Sequence, residues 1–168
     1  QTVEAIQEVT GLPLQLDTSN PAAMEAALRR YNGKPLVNSV NGKEESLETI
    51  LPLVKKYGGG LVCLTLDDEG IPADAQGRLA IAEKIVRRAE AMGIPRRELL
   101  VDGLTMPVSA GGDNAKVTLE TLRRAKEELG VKTALGVSNV SFGLPKREQL
   151  NQSFFTMALE QGLDGAII

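Results

Sequence analysis

Leu100-Val101-Asp102 is an apolar run that breaks on a carboxylate, and three further runs likewise end on an Asp or an Asn: Leu14-Gln15-Leu16-Asp17, Leu36-Val37-Asn38 and Leu135-Gly136-Val137-Ser138-Asn139. Short apolar runs set between segments of helical period read as buried parallel strands. Working outward, apolar runs at 12–16, 36–40, 60–66, 99–104, 132–138 and 163–168 alternate with such segments, which predicts six strands joined by five helices. In a (β/α) barrel the carboxyl ends of the strands build the functional face. Two carboxylates and two amides at strand ends would therefore meet in one pocket.

The intervening segments carry helix punctuation. Asn20 is placed to cap a helix with Pro21 in its first turn and a stripe of Met24, Ala27, Leu28 and Tyr31. Ser46 is the expected cap of the next, with Leu47, Ile50, Leu51, Val54 and Tyr57 on one face. A third helix, about 75–92, aligns Leu79, Ala82, Val86, Ala89 and Met92, and a fourth aligns Leu119, Leu122, Ala125 and Leu129 ahead of Gly130. The last, about 147–161, is expected to bury Leu150, Phe154, Met157 and Ala158 or Leu159. Residues 2–9 read as the tail of an earlier helix.

The chain has 168 residues, enough for one domain but short of the roughly 250 of a complete (β/α)8 TIM barrel. The expectation is an incomplete TIM barrel of about six strands lacking the first two, with residues 1–168 as one partial domain. Basic and acidic residues number 19 and 22, net −3, and are spread over the helices; no basic face points to nucleic acid. No apolar run approaches the about 18 residues of a membrane span, so a cytoplasmic protein without membrane partners is expected. The chain has no His, which excludes Ser-His-Asp and Cys-His catalysis. The single Cys63, inside Leu61-Val62-Cys63-Leu64, reads as a small buried hydrophobe.

Strand-end Asp and Asn also cap helices and form turns. Asp17, however, precedes the better-placed cap Asn20, and Asn38 lies well before Ser46. A pocket of carboxylates and amides suits the edge of a flat heterocycle: a carboxylate accepts from a ring N–H and an exocyclic amine, and an Asn both donates and accepts. The two carboxylates could instead hold Mg²⁺ or Ca²⁺, although separate strands count against it, and no metal site is assigned. Asp67-Asp68-Glu69 reads as a solvated acidic loop.

Several motifs, in order and spacing, carry a resemblance: Leu16-Asp17-Thr18-Ser19-Asn20-Pro21, Val37-Asn38-Ser39-Val40-Asn41-Gly42-Lys43-Glu44, Gly70-Ile71-Pro72, Val101-Asp102-Gly103-Leu104-Thr105, and Leu135-Gly136-Val137-Ser138-Asn139 continuing to Pro145. From Leu12 to Ile168 the chain resembles the pterin-binding methyltransferase family, and within it the methyltetrahydrofolate-binding domain of cobalamin-dependent methionine synthase. The resemblance implies that Asp17, Asn38 and Asp102 hold the pterin ring and that Asn139 lies beside N5, with Asn139 and Asp102 serving catalysis. It implies that Gly136 and Ser138 shape the floor near the ring. Arg147 falls where the family has an Arg near the folate, the alternative being a solvated cation at a helix start. Asn151-Gln152-Ser153-Phe154 departs from the family's usual Asn-Arg pair, which puts a helix-anchoring contact in question.

The implied activity is transfer of the N5 methyl group of methyltetrahydrofolate, the substrate, to cob(I)alamin held by a partner domain or corrinoid protein. The rivals are a dihydropteroate synthase-like pterin enzyme, a family that uses Lys and a late signature with His, and an inactive truncated fragment of the methyltransferase.

Overall fold

Parallel pairing runs through the computed structural model, which describes residues 2–168. The strands are β1 (Gln15–Asp17), β2 (Leu36–Asn41), β3 (Gly60–Leu64), β4 (Leu99–Asp102), β5 (Lys132–Gly136) and β6 (Gly165–Ile167). They lie in sequence order in one sheet, each parallel to the next. Parallel neighbours need a crossover between them. Those crossovers are α2 (Pro21–Arg30), α3 (Glu44–Tyr57), α4 (Ala75–Ala91), α5 (Asn114–Arg124) and α6 (Arg147–Glu160), with α1 (Thr2–Val9) ahead of β1. The sheet curls into a six-stranded part of a TIM barrel, as the alternation of runs predicts.

The helical stripes bury as their spacing requires, except that Met92, just past the end of α4, stays 37% exposed. Met24 and Leu28 of α2, Leu47 and Leu51 of α3, and Ala82 and Ile85 of α4 pack onto Val37, Leu61 and Val101 of the strands. A second cluster joins Leu122 of α5 and Phe154 of α6 to Leu135 and Val137. Each fully buried Leu or Phe contributes about 1.5–3 kcal/mol, so these stripes fix which way each helix faces. Beyond α5 the chain continues through one π-helical turn, Ala125–Leu129, and stops at Gly130, whose φ of 61° suits a residue without a side chain.

Two expectations are corrected. Ser46 does not cap α3: that helix starts at Glu44, and Ser46 Oγ instead accepts from the Asn41 N–H at 3.1 Å. Glu44 and Glu45 occupy the first turn, where the helix dipole favours negative charge and draws the start forward. On α6 only Phe154 and Ala158 are buried, while Leu150, Met157 and Leu159 stay 37–50% exposed because the helix meets the second core along one narrow i, i+4 line. Among the described residues no helix is long and apolar enough to cross a membrane.

Candidate functional site

At the carboxyl ends of the strands lies a cavity of about 520 Å³, walled by Asp17, Asn38, Asp102, Gly136, Ser138 and Asn139. Small-molecule sites commonly measure roughly 300–1,000 Å³. Six of the seven residues singled out from the sequence thus share one space. Leu64, Ile71, Met106 and Ile167 add apolar wall to this polar set, the combination that grips a flat ring by its faces and reads it by its edge.

The register of β1 on β2 pairs Asp17 with Asn38, and Asn38 Nδ2 donates to Asp17 Oδ2 at 3.3 Å. Asn20, not Asp17, caps α2, accepting from the Ala22 and Ala23 N–H groups at 2.9 and 3.1 Å. Asp17 is thereby left for the cavity. Just after Asn38 the β2–β3 register shifts by one residue, and the Asn38–Ser39 peptide is cis.

Asp102 is the most tightly held of the four. Its backbone carbonyl accepts from Thr65 Oγ1 at 3.0 Å and from the Thr65 N–H at 3.3 Å, and its carboxylate Oδ1 accepts from the Leu104 N–H at 2.8 Å. Burial pushes its carboxyl up to about 6, against the opposing pull of the Leu104 N–H and the Arg78 charge. A carboxyl that titrates this close to neutrality can hold a charge for recognition and exchange a proton under mild conditions.

Asn139 sits in the 3₁₀ segment Val137–Ser141 that follows β5, and its side chain is exposed. Its segment is braced from α6. Arg147 donates to the Ser138 carbonyl at 3.0 Å and to Ser141 Oγ at 3.1 Å, while Ser141 Oγ donates to Asn151 Oδ1 at 2.7 Å. Arg147 therefore stands outside the cavity lining as a strut of the Asn139 segment. Asn151 anchors the helix here without the Asn-Arg pair.

Three residues at this site were not anticipated. Thr105 lines the cavity and its buried Oγ1 has no hydrogen-bond partner among the described residues. Leu104 has a left-handed φ of 56°. Arg78 is 2% exposed, deep behind Asp102. A signal for Arg78 existed: it falls on the same helical face as Ala75, Ala82 and Ala89, all buried, where a solvent-facing cation would be out of place.

Fold and cavity together define the class: an α/β-barrel protein with a small-molecule site at its strand ends. The chain belongs to the family described as pterin binding enzyme, which it matches over residues 1–168. It is 34% identical over 170 residues to methionine synthase of Mycobacterium tuberculosis, a match covering 94% of this chain and 14% of that protein. Identity to the methylcorrinoid:tetrahydrofolate methyltransferase of Eubacterium limosum is 28% over 171 residues, covering 99% and 62%. This chain thus spans less than two thirds of either relative's length. Among solved structures, Xanthomonas albilineans dihydropteroate synthase with 4-aminobenzoic acid superposes with a TM-score of 0.76 at 23% identity, covering 98% of this chain and 64% of that one. The dihydropteroate synthase of Thermus thermophilus gives 0.72 at 24%, covering 98% and 67%. At those identities the likeness is one of fold.

Proposed function

We propose that the chain binds methyltetrahydrofolate in the strand-end cavity and supports transfer of its N5 methyl group to cob(I)alamin carried by another domain or a corrinoid protein, in methionine synthesis or one-carbon metabolism. The observation that carries this reading is the meeting of Asp17, Asn38, Asp102 and Asn139 in one cavity. Relatives named as a methionine synthase and a methylcorrinoid:tetrahydrofolate methyltransferase support it.

In this reading the carboxylates of Asp17 and Asp102 accept from the N–H groups along the edge of the pterin, and Asn38 donates and accepts beside them. Gly136 and Ser138 shape the floor beneath the ring. As the methyl carbon leaves N5, the bonding electron pair stays on nitrogen, and a tertiary amine is a poor leaving group until that nitrogen gains a proton or a strong hydrogen bond. A carboxamide does not titrate near neutrality, so Asn139 holds and polarises N5 while a proton is relayed to that nitrogen through water and Asp102. Such help is worth on the order of 10² to 10⁴ in rate. The same residues serve the reverse transfer, the direction suggested by the name of the Eubacterium limosum relative.

A dihydropteroate synthase reading draws on the fold likeness. Against it, the chain has no His and no Lys lines the cavity. Calorimetric titration of the 168-residue chain, beside a longer parent domain, tests the proposal. Binding of methyltetrahydrofolate that is weakened in Asp102→Asn is expected; failure of both proteins to bind it would overturn the assignment. Binding by the parent alone would identify this chain as an inactive fragment.

A further inference from the structure

Behind the cavity, Arg78 is the largest fully buried side chain among the described residues, and none of its side-chain hydrogen bonds to them goes to a carboxylate. From α4 it donates through Nη1 to the carbonyls of Gly103 and Leu104 at 2.7 and 2.8 Å and to Thr118 Oγ1 at 3.3 Å, and through Nε to the Pro72 carbonyl at 3.0 Å. One guanidinium therefore ties the loop after β3, the loop after β4 and α5 together. Burying a cation costs stability unless charge and hydrogen bonds compensate, so its location calls for an explanation beyond packing.

The explanation lies in Leu104. A leucine in the left-handed region is rare and strained, and persists where its surroundings over-determine it. Both its backbone groups are fixed: the N–H donates to Asp102 Oδ1 at 2.8 Å, and the carbonyl accepts from Arg78 Nη1 and from Thr118 Oγ1 at 3.1 Å. We propose that Arg78 is a positioning residue for Asp102, clamping Leu104 in its left-handed turn so that the Leu104 N–H holds the Asp102 carboxylate at the cavity wall. The role in ligand binding rests on the folate reading; the clamp itself does not.

The electrostatics agree with the geometry. Arg78 opposes the upward push of burial on the Asp102 carboxyl, while Asp102 and Asp74 in turn favour the charged form of Arg78, whose burial works the other way. Across the cavity the charged neighbour is Asp17 on β1. The β3 end and α5 present Thr65 and Thr118, which do not titrate in this range.

The test titrates the Asp102 carboxyl carbon by NMR in the 168-residue chain and measures methyltetrahydrofolate affinity above that midpoint. Arg78→Met should move the midpoint upward and weaken binding roughly tenfold or more, since small misplacements of a binding group are costly. Arg78→Lys should keep the midpoint near that of the parent chain yet lose affinity, because an ammonium cannot span the same carbonyls. Thr118→Val should lose less affinity with the midpoint unchanged. Parent-like midpoint and affinity in a folded Arg78→Met overturn the proposal. If Arg78→Met does not fold, the Leu104 amide shift and the affinity decide in the other two variants: movement of both supports the clamp, and parent-like values in both overturn it. Failure of both the unsubstituted 168-residue chain and the longer parent domain to bind folate, with the midpoint still moving in Arg78→Met, would sink the folate reading and leave the clamp standing.

Discussion

Gly136 and Asn139 are fitted to one another: a side-chain carbon on Gly136 would lie 3.0 Å from Asn139 Nδ2, closer than such atoms normally approach. The backbone of Gly136 has a φ of −79°, which any residue adopts, so an added side chain would press on the Asn139 amide and not strain the backbone. Gly136→Ala should therefore fold, with a stability cost of about 1 kcal/mol from overpacking, while displacing the Asn139 amide. Methyl-transfer rates in the parent domain should fall by roughly tenfold to 10²-fold, and a crystal structure of the variant should show the Asn139 side chain moved. Unchanged kinetics would mean that the placement of this amide does not matter.

Asn139→Ala in the parent should lose more in transfer than in ground-state binding. A hydrogen bond to N5 strengthens as the electron pair accumulates there, so its removal raises the barrier more than it weakens the complex. Single-turnover rates at saturating folate, set beside calorimetric affinities, separate the two losses. Equal losses would make Asn139 a simple binding residue.

The Asp102 carboxyl, raised from 3.8 to about 6 by burial, gives folate binding a pH dependence of defined sign. If, as proposed, Asp102 binds the pterin as a carboxylate, affinity should be constant well above pH 6 and fall about tenfold per pH unit below it. Stability responds in the opposite sense, because the folded chain holds this proton more tightly than the unfolded one. The contribution from Asp102 is full below 3.8 and is lost as pH rises through about 6. Asp102→Asn should weaken binding by about 1.5–3 kcal/mol at neutral pH and remove the slope between about pH 5 and 7. Calorimetry across that range checks both.

Cys63 is fully buried in β3, and burial pushes its thiol up to about 12. A thiol that is neither exposed nor ionised does not attack electrophiles. A maleimide or aromatic disulfide reagent should leave the native chain unmodified at neutral pH and label one site once the chain is denatured. Rapid labelling of native protein would show that this strand opens readily.

Much of the candidate site's cavity lining was legible because strand-end position is a one-dimensional property: a parallel strand's last polar residue emerges at the same face wherever it occurs. Asp17, Asn38, Asp102 and Asn139 needed nothing more. Arg78 was obscured because an arginine on an amphipathic helix ordinarily belongs to water, and its partners are backbone carbonyls 25 and 26 residues away that no side-chain pattern announces. For Arg147 the sequence offered a position and no partner: its guanidinium reaches the Ser138 carbonyl and Ser141 Oγ, and it does not line the cavity. Ser46 illustrates competition between signals of equal range: a hydroxyl suited to capping was outweighed by two glutamates earlier in the same turn. The exposed Leu150, Met157 and Leu159 show that apolar identity marks what a helix could bury, whereas neighbouring elements determine what it does bury.

The strictly sequential order of the strands bears on how the chain acquires its shape. Every strand bonds to the one synthesised immediately before it, and no pairing reaches past the adjoining βα unit. The entropic cost of closing each connection is therefore that of one short loop and one helix, incurred repeatedly instead of all at once. A nascent chain can lay down β1 and α2, dock β2 beside them, and proceed layer by layer as residues leave the ribosome, with each completed layer serving as the template for the next. Asp17 and Asn38 come into register through a single such connection, without waiting on the strands that carry Asp102 and Asn139.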